Sequence, residues 1–122
     1  MRKLRKISIV IIILILALFS AKQIFPILKL DGYSGLALSI LNAEDTKYSV
    51  NYSSKKFLKI KNGMTKQEVI DILGDPITEW VPEDNINGLQ YSESPKSTHY
   101  RLRQIYLKDN KVIDRISYYY ID

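Results

Sequence analysis

The chain has 122 residues, enough for one small domain, with 18 basic and 13 acidic residues and a net charge of +5. It has no cysteine, which excludes disulfides, thiolate zinc sites and a cysteine nucleophile. Four of the positive charges, Arg2, Lys3, Arg5 and Lys6, stand ahead of the first apolar run, and without them acids and bases nearly balance, so no basic surplus argues for nucleic acid.

Ile7 to Ala21 are apolar apart from Ser8 and Ser20. A basic end followed by an apolar run is the layout of an export signal or anchor, with the positive end kept inside. Cleavage after Ala21 would put Phe19 at the third position back, where a small residue is wanted. As a span, the run of about 15 residues falls short of the roughly 20 that a bilayer core needs. Ile24, Phe25, Ile27, Leu28 and Leu30 extend it, with Lys22, Gln23 and Pro26 as interruptions. Residues 1–30 are therefore expected to be an uncleaved membrane anchor with the remainder outside the cytoplasm; the alternative is a cleaved signal and release of the domain.

Residues 31–52 read as a linker, partly laid over the domain or used for docking. Ser34 is spaced to cap a short helix in which Leu36, Ile40 and Leu41 share a face. Asn51-Tyr52-Ser53 fits a glycosylation sequon, a pattern short enough to arise by chance.

Residues 53–122 form the expected domain. Phe57 and Ile60 share one face of a short helix opened by Ser53 or Ser54, and Asn62-Gly63 ends it. Thr65 caps a second helix, with Glu68 completing a capping box and Met64 and Val69 spaced for a hydrophobic staple. Val69, Ile72 and Leu73 make its apolar stripe, Gly74 stands at the C′ position and Pro76 prevents continuation.

Beyond Pro76 the period becomes that of strands. Ile77–Val81 and Leu89–Ser92 are short candidates, separated by Pro82 and the polar run Glu83 to Gly88. Thr98–Lys108 and Lys111–Ile121 are longer strands joined by the two-residue turn Asp109-Asn110. Val112, Ile116, Tyr118 and Tyr120 fall on one face of the last strand, with Asp114 the exception. Ile105 and Leu107 fall in the opposite phase to Tyr100 and Leu102, which predicts a bulge near Gln104 or a sheet partly covered on both faces. Two short helices cannot bury their apolar stripes on each other alone, so the sheet must complete the core. The predicted class is α+β: a two-helix hairpin on a three- to four-stranded antiparallel sheet, behind an N-terminal signal or anchor.

The segment from Ile60 to Pro76, with Gly63-Met64-Thr65, Glu68-Val69 and Leu73-Gly74-Asp75-Pro76, resembles the signature of the SmpA/OmlA (BamE-like) domain family. The family's two helices followed by an antiparallel sheet are shared by the β-lactamase inhibitor protein. The resemblance covers about 20 residues and implies bacterial envelope work, in the best-known members an accessory role in outer-membrane protein assembly. Its structural positions in this chain are Gly63, Met64, Thr65, Glu68, Val69, Leu73, Gly74 and Pro76. The chain departs from the family in lacking the cysteine that carries a lipid, so an inner-membrane attachment through residues 1–30 is expected instead, or periplasmic release after cleavage.

Residues that carry chemistry are few. His99 is the only histidine, which excludes a Ser-His or multi-histidine site within one chain, and its alternation with Tyr100 places it on a strand surface. Asp71, Asp75, Glu79, Glu83 and Asp84 are spaced like no calcium loop and read as a solvated acidic region. No catalytic, metal or cofactor residues are assigned. Tyrosine is plentiful at nine, and Tyr118-Tyr119-Tyr120 shows rings on both faces of its strand. Tyr119, Arg101 and Arg103 are candidates for an exposed protein-contact surface, since tyrosine and arginine favour interfaces; packing under the hairpin is the other reading of the tyrosines. Trp80 reads as either a core or an edge aromatic. The expected function is a non-catalytic, membrane-anchored module that binds other envelope proteins, with an inhibitor-like module capping an extracytoplasmic hydrolase as the alternative, its contact made by the Glu83–Gly88 loop.

Overall fold

A computed structural model of the chain describes residues 1–42 and 44–121. The first helix, α1, runs from Arg2 to Leu41, 40 residues or about 60 Å. Its one non-helical residue is Gly32 (φ 74°, ψ 179°), a conformation that a side chain would strain, so two helical stretches meet there at a kink. Residues up to Phe25 are exposed, Pro26–Leu28 are half-buried, and Leu30 and Gly35 are buried. The exposed part has a mean hydropathy of 2.5 over its best 18 residues: long and apolar enough to cross a membrane, a test that signal sequences also pass.

The stretch 31–52, read from the sequence as a linker with a short helix partly laid over the domain, is laid closely against it. The second helical stretch of α1 carries it to Leu41, where the Asn42 N–H and side-chain amide both donate to Leu38 O. Lys47–Tyr48 (β1) then pairs antiparallel with Ser92–Glu93 (β4) in a two-stranded ribbon. Tyr48 and Tyr52 stack at 4.5 Å, and Tyr52 tilts against Phe57, so this segment is part of the packed domain.

The two short helices fall where their caps place them. α2 is Ser54–Phe57, with Ser53 Oγ accepting from Lys56 N; α3 is Lys66–Leu73, with Thr65 Oγ1 accepting from Glu68 N at 3.2 Å. Gly74 (φ 79°) ends α3, and its carbonyl accepts from Tyr91 Oη at 3.0 Å. Between the helices, Gly63 N donates to Val112 O and Val112 N donates to Met64 O, both at 2.8 Å. The Gly-Met-Thr run therefore also hydrogen-bonds like a strand against the start of the last strand.

Four strands form the main sheet in the order β2 (Thr78–Glu83), β3 (Ile86–Gln90), β5 (Tyr100–Lys108), β6 (Lys111–Tyr120), all antiparallel. β2 continues through Pro82, which is tolerated because β2 is an edge strand and its register shifts between Trp80 and Glu83. Asp109 (φ 50°) and Asn110 (φ 65°) make the tight β5–β6 turn with both central residues left-handed.

β5 alternates without a break, so its conflict of phase reflects a strand covered on both faces, and the one bulge lies on β6. Leu107 pairs with Val112 and Tyr106 with Asp114, leaving Ile113 unpaired on β6 rather than a residue near Gln104. Val112 is thereby turned to the helix side with Leu107, Ile105, Leu89 and Tyr91, where Phe57, Ile60, Val69, Leu73 and Leu30 complete the core. Ile116, Tyr118 and Tyr120 lie on the opposite face, across from Gln104, Leu102 and Tyr100. Asp114 falls in with them and is exposed. Leu102 is nevertheless buried there, so both faces of β5 carry apolar side chains.

Candidate functional site

Where α1 enters the domain, a cluster of four charges forms, two of them closed to water and two partly exposed. Asp31 directly precedes the Gly32 kink, and its carboxylate is 1% exposed. Arg103, on the helix side of β5 and 0% exposed, donates to it through Nη1 at 2.8 Å and Nη2 at 2.9 Å, a bidentate pair. Two more of its five donors are engaged, Nε with Tyr52 Oη at 3.0 Å and Nη1 with Leu102 O. Arg101 follows on the same face, with Nε 3.4 Å from Asp31 and Nη1 2.7 Å from Glu44. Two carboxylates thus face two guanidinium groups, which is the balance a buried site needs. Leu30 sits in the core, its carbonyl accepting from Ser117 Oγ at 3.0 Å.

The exposed contact surface expected at Tyr119, Arg101 and Arg103 is therefore not exposed. Arg103 is fully buried, Tyr119 is 7% exposed and the Arg101 side chain 16%. The bulge at Ile113 turns Tyr119 to the helix side, and Gly35 of α1 comes against it: a Cβ on Gly35 would stand 3.4 Å from Tyr119 Cβ. These residues do make an interface, but with the chain's own N-terminal helix. Sequence reasoning missed its other half, Asp31 and Glu44, because two acids in an apparent linker carry no periodic signal.

A second group pins the loop before β5. Asp45 accepts from Ser94 Oγ (2.6 Å), Thr98 Oγ1 (2.8 Å) and Lys96 N (2.9 Å), and the Ser94 hydrogen bond in particular holds its carboxyl below the usual carboxylate range. Arg115 closes the end of α2: its Nη1 donates to the carbonyls of Leu58 at 2.9 Å and of Phe57 and Ile60 at 3.3 Å, a cation at a helix C-terminus. Burial pushes the Tyr52 hydroxyl up to about 12 and raises Tyr48 in the same direction.

The face of the sheet turned away from the helices is aromatic. Trp80 meets Tyr106 edge-on at 5.7 Å, Tyr100 lies 5.5 Å from Tyr120, and Tyr118 lies 6.5 Å from Tyr120. Trp80 covers Gly88, where a Cβ would come within 2.6 Å of the indole, so it is an aromatic packed over a glycine gap in the neighbouring strand. Tyr118 is 46% exposed, and a depression of about 310 Å³ opens beside Tyr106, Ile86 and Ile116.

The acidic residues singled out in the sequence are dispersed. Asp71 accepts from Gln67 Nε2, Glu79 pairs with Lys66 at 2.7 Å, and no group of three His, Asp or Glu side chains is placed to hold a metal among the described residues. The Glu83–Gly88 run, expected as a protruding loop, is a tight turn: Glu83 pairs with Ile86 around Asp84-Asn85, with Asn85 left-handed (φ 66°). No protein-family model matches the chain, and no curated protein or solved structure matches it either.

Proposed function

We propose that the protein is a non-catalytic module, anchored in the inner membrane of a bacterial envelope by α1, that binds another envelope protein outside the cytoplasm. The observation that carries this reading is the pairing of an exposed apolar helix with a domain presenting an aromatic sheet face. Aromatic side chains bury large areas at little entropic cost, and tyrosine is enriched at protein interfaces. The charge order at the N-terminus favours the domain outside, since four basic residues precede the span.

The resemblance of the Ile60–Pro76 segment to the SmpA/OmlA (BamE-like) family directs the proposal to outer-membrane protein assembly or envelope integrity. The observed order of two short helices and an antiparallel sheet is compatible with that resemblance. The second reading is an inhibitor-like module that caps an extracytoplasmic hydrolase, its probe being the exposed hairpin tip at Asp84-Asn85. Protease added to spheroplasts tests the arrangement: digestion of the Lys47–Ile121 part in intact spheroplasts is expected, and protection until lysis overturns the reading.

A further inference from the structure

Between Asp45 and Glu68 the chain has no acidic residue, yet it has Lys47, Lys55, Lys56, Lys59, Lys61 and Lys66. Lys55, Lys56, Lys59 and Lys61 belong to α2 and the loop after it, and all four are exposed. Phe57 and Ile60 point into the core, so the lysines between and beside them are forced outward. None of the four makes an ion pair among the described residues; Lys56 Nζ donates only to Asn51 O at 3.2 Å.

The position of this patch along α1 gives it a direction. Gly35 of α1 lies against Tyr119, and Leu30 is hydrogen-bonded to Ser117, so the helix descends along β6 toward its beginning. Two residues further down, Arg115 holds the carbonyls that end α2. α2 and residues 58–62 therefore lie at the end of the domain from which the apolar helix leaves, and Pro26–Leu28 are half-buried there. If α1 spans a bilayer, the roughly 22 residues from Ile7 to Leu28 cover about 33 Å, close to a hydrocarbon core of about 30 Å. Lys29 then stands at headgroup level, with α2 beside it.

We infer that Lys55, Lys56, Lys59 and Lys61 form a foot that rests on an anionic phospholipid surface next to the emerging α1. The inference deepens the anchor reading and depends on it. Charge complementarity and continuity with the anchor both select this occupant: each lysine near an anionic surface favours docking by roughly fivefold. The bidentate Asp31–Arg103 pair makes the contact consequential, because it fixes the domain to the helix just above the bilayer. Docking the foot then sets the orientation in which the aromatic face is presented.

The full chain reconstituted into nanodiscs supplies the test. The chain has no native cysteine, so Asn62→Cys carries a single fluorophore beside the foot and Asn85→Cys one at the β2–β3 turn. Headgroup-spin-labelled lipid is the quencher, in phosphatidylcholine discs with or without one third phosphatidylglycerol. Quenching at Asn62 is expected in anionic discs, weakly or not at all in neutral ones, and at Asn85 in neither. Changing all four lysines to glutamate should lower the docked population by on the order of a hundredfold or more, and high salt should release the unsubstituted chain. Equal quenching of Asn62 in both discs, or none in anionic discs, overturns the foot while leaving the anchor in place. Failure of the chain to enter either disc contradicts the anchor reading and the foot with it.

Discussion

The carboxylate of Asp31 and the guanidinium of Arg103 meet through two hydrogen bonds, of 2.8 and 2.9 Å, with both side chains essentially closed to solvent. This pair joins the end of an apolar helix to the middle of a sheet, so the domain is built onto α1 rather than hung from it. Removing one partner strands a charge where water cannot reach it. Asp31→Ala or Arg103→Ala should each destabilise the fold by about 3–5 kcal/mol. Replacing both by apolar residues of similar size should cost less than either single change. Denaturant melts in mild detergent, followed by emission of the single tryptophan Trp80, would show this; additive losses would mean that the pair is not a buried unit.

Gly35 tests the same junction by shape. A Cβ there would come within 2.7 Å of Asp31 Cβ and 3.4 Å of Tyr119 Cβ. Gly35→Val should therefore lower stability by roughly 1–3 kcal/mol through overpacking, and make residues 33–41 more open to amide exchange than in the parent chain. Unchanged exchange would place this part of α1 off the sheet.

The helical hairpin offers a graded pair. Leu73 is fully buried, so Leu73→Ala should cost about 2–5 kcal/mol. Thr65→Ala removes only the hydrogen bond to Glu68 N, for about 1 kcal/mol. A domain worth about 5–10 kcal/mol can fail under the first change and survive the second. The same melts rank the two, and a neutral Leu73→Ala would require α3 to pack the other way round.

Much of this hairpin is legible in the sequence because its determinants are local: Ser53, Thr65 and Gly74 end or begin helices through atoms a few residues away. The β5–β6 turn is legible for the same reason, since Asp109-Asn110 must both be left-handed. The junction with α1 is not. Arg101 and Arg103 alternate with Tyr100 and Leu102 and read as an exposed contact surface, until an acid some 70 residues earlier is placed against them. Register adds a second obstacle, because one unpaired residue, Ile113, puts Val112 and Ile116 on opposite faces and brings Tyr119 to the same side as Val112. The partner acid has no signature in a period-two pattern, and the break of phase in β5 points to Gln104 rather than to Ile113 on the next strand.

Alkaline pH should act on the junction through Tyr52. Burial raises its hydroxyl to about 12, above the value near 10 of an unfolded tyrosine. The group's folded-state contribution is therefore fully present below pH 10 and is lost as pH rises from 10 toward 12. Tyr52→Phe should make the alkaline loss of stability shallower, Tyr48, Tyr91, Tyr100 and Tyr119 being raised as well, while lowering stability at neutral pH, where Arg103 Nε loses its acceptor. Melts at several values between pH 8 and pH 12 would check this, and an alkaline slope unchanged in the variant would assign the effect elsewhere.

The central claim, that the aromatic face of the sheet binds another envelope protein, is tested most directly by photo-crosslinking in intact cells. A crosslinker at Tyr118 probes the exposed face, one at Tyr119 the buried face of the same strand, and one at Asn85 the hairpin tip. The account predicts a discrete adduct with a membrane or envelope-assembly protein at Tyr118, none with another protein at Tyr119, and none at Asn85. Capture of a soluble hydrolase at Asn85, with silence at Tyr118 and loss of that enzyme's activity on binding, would contradict it.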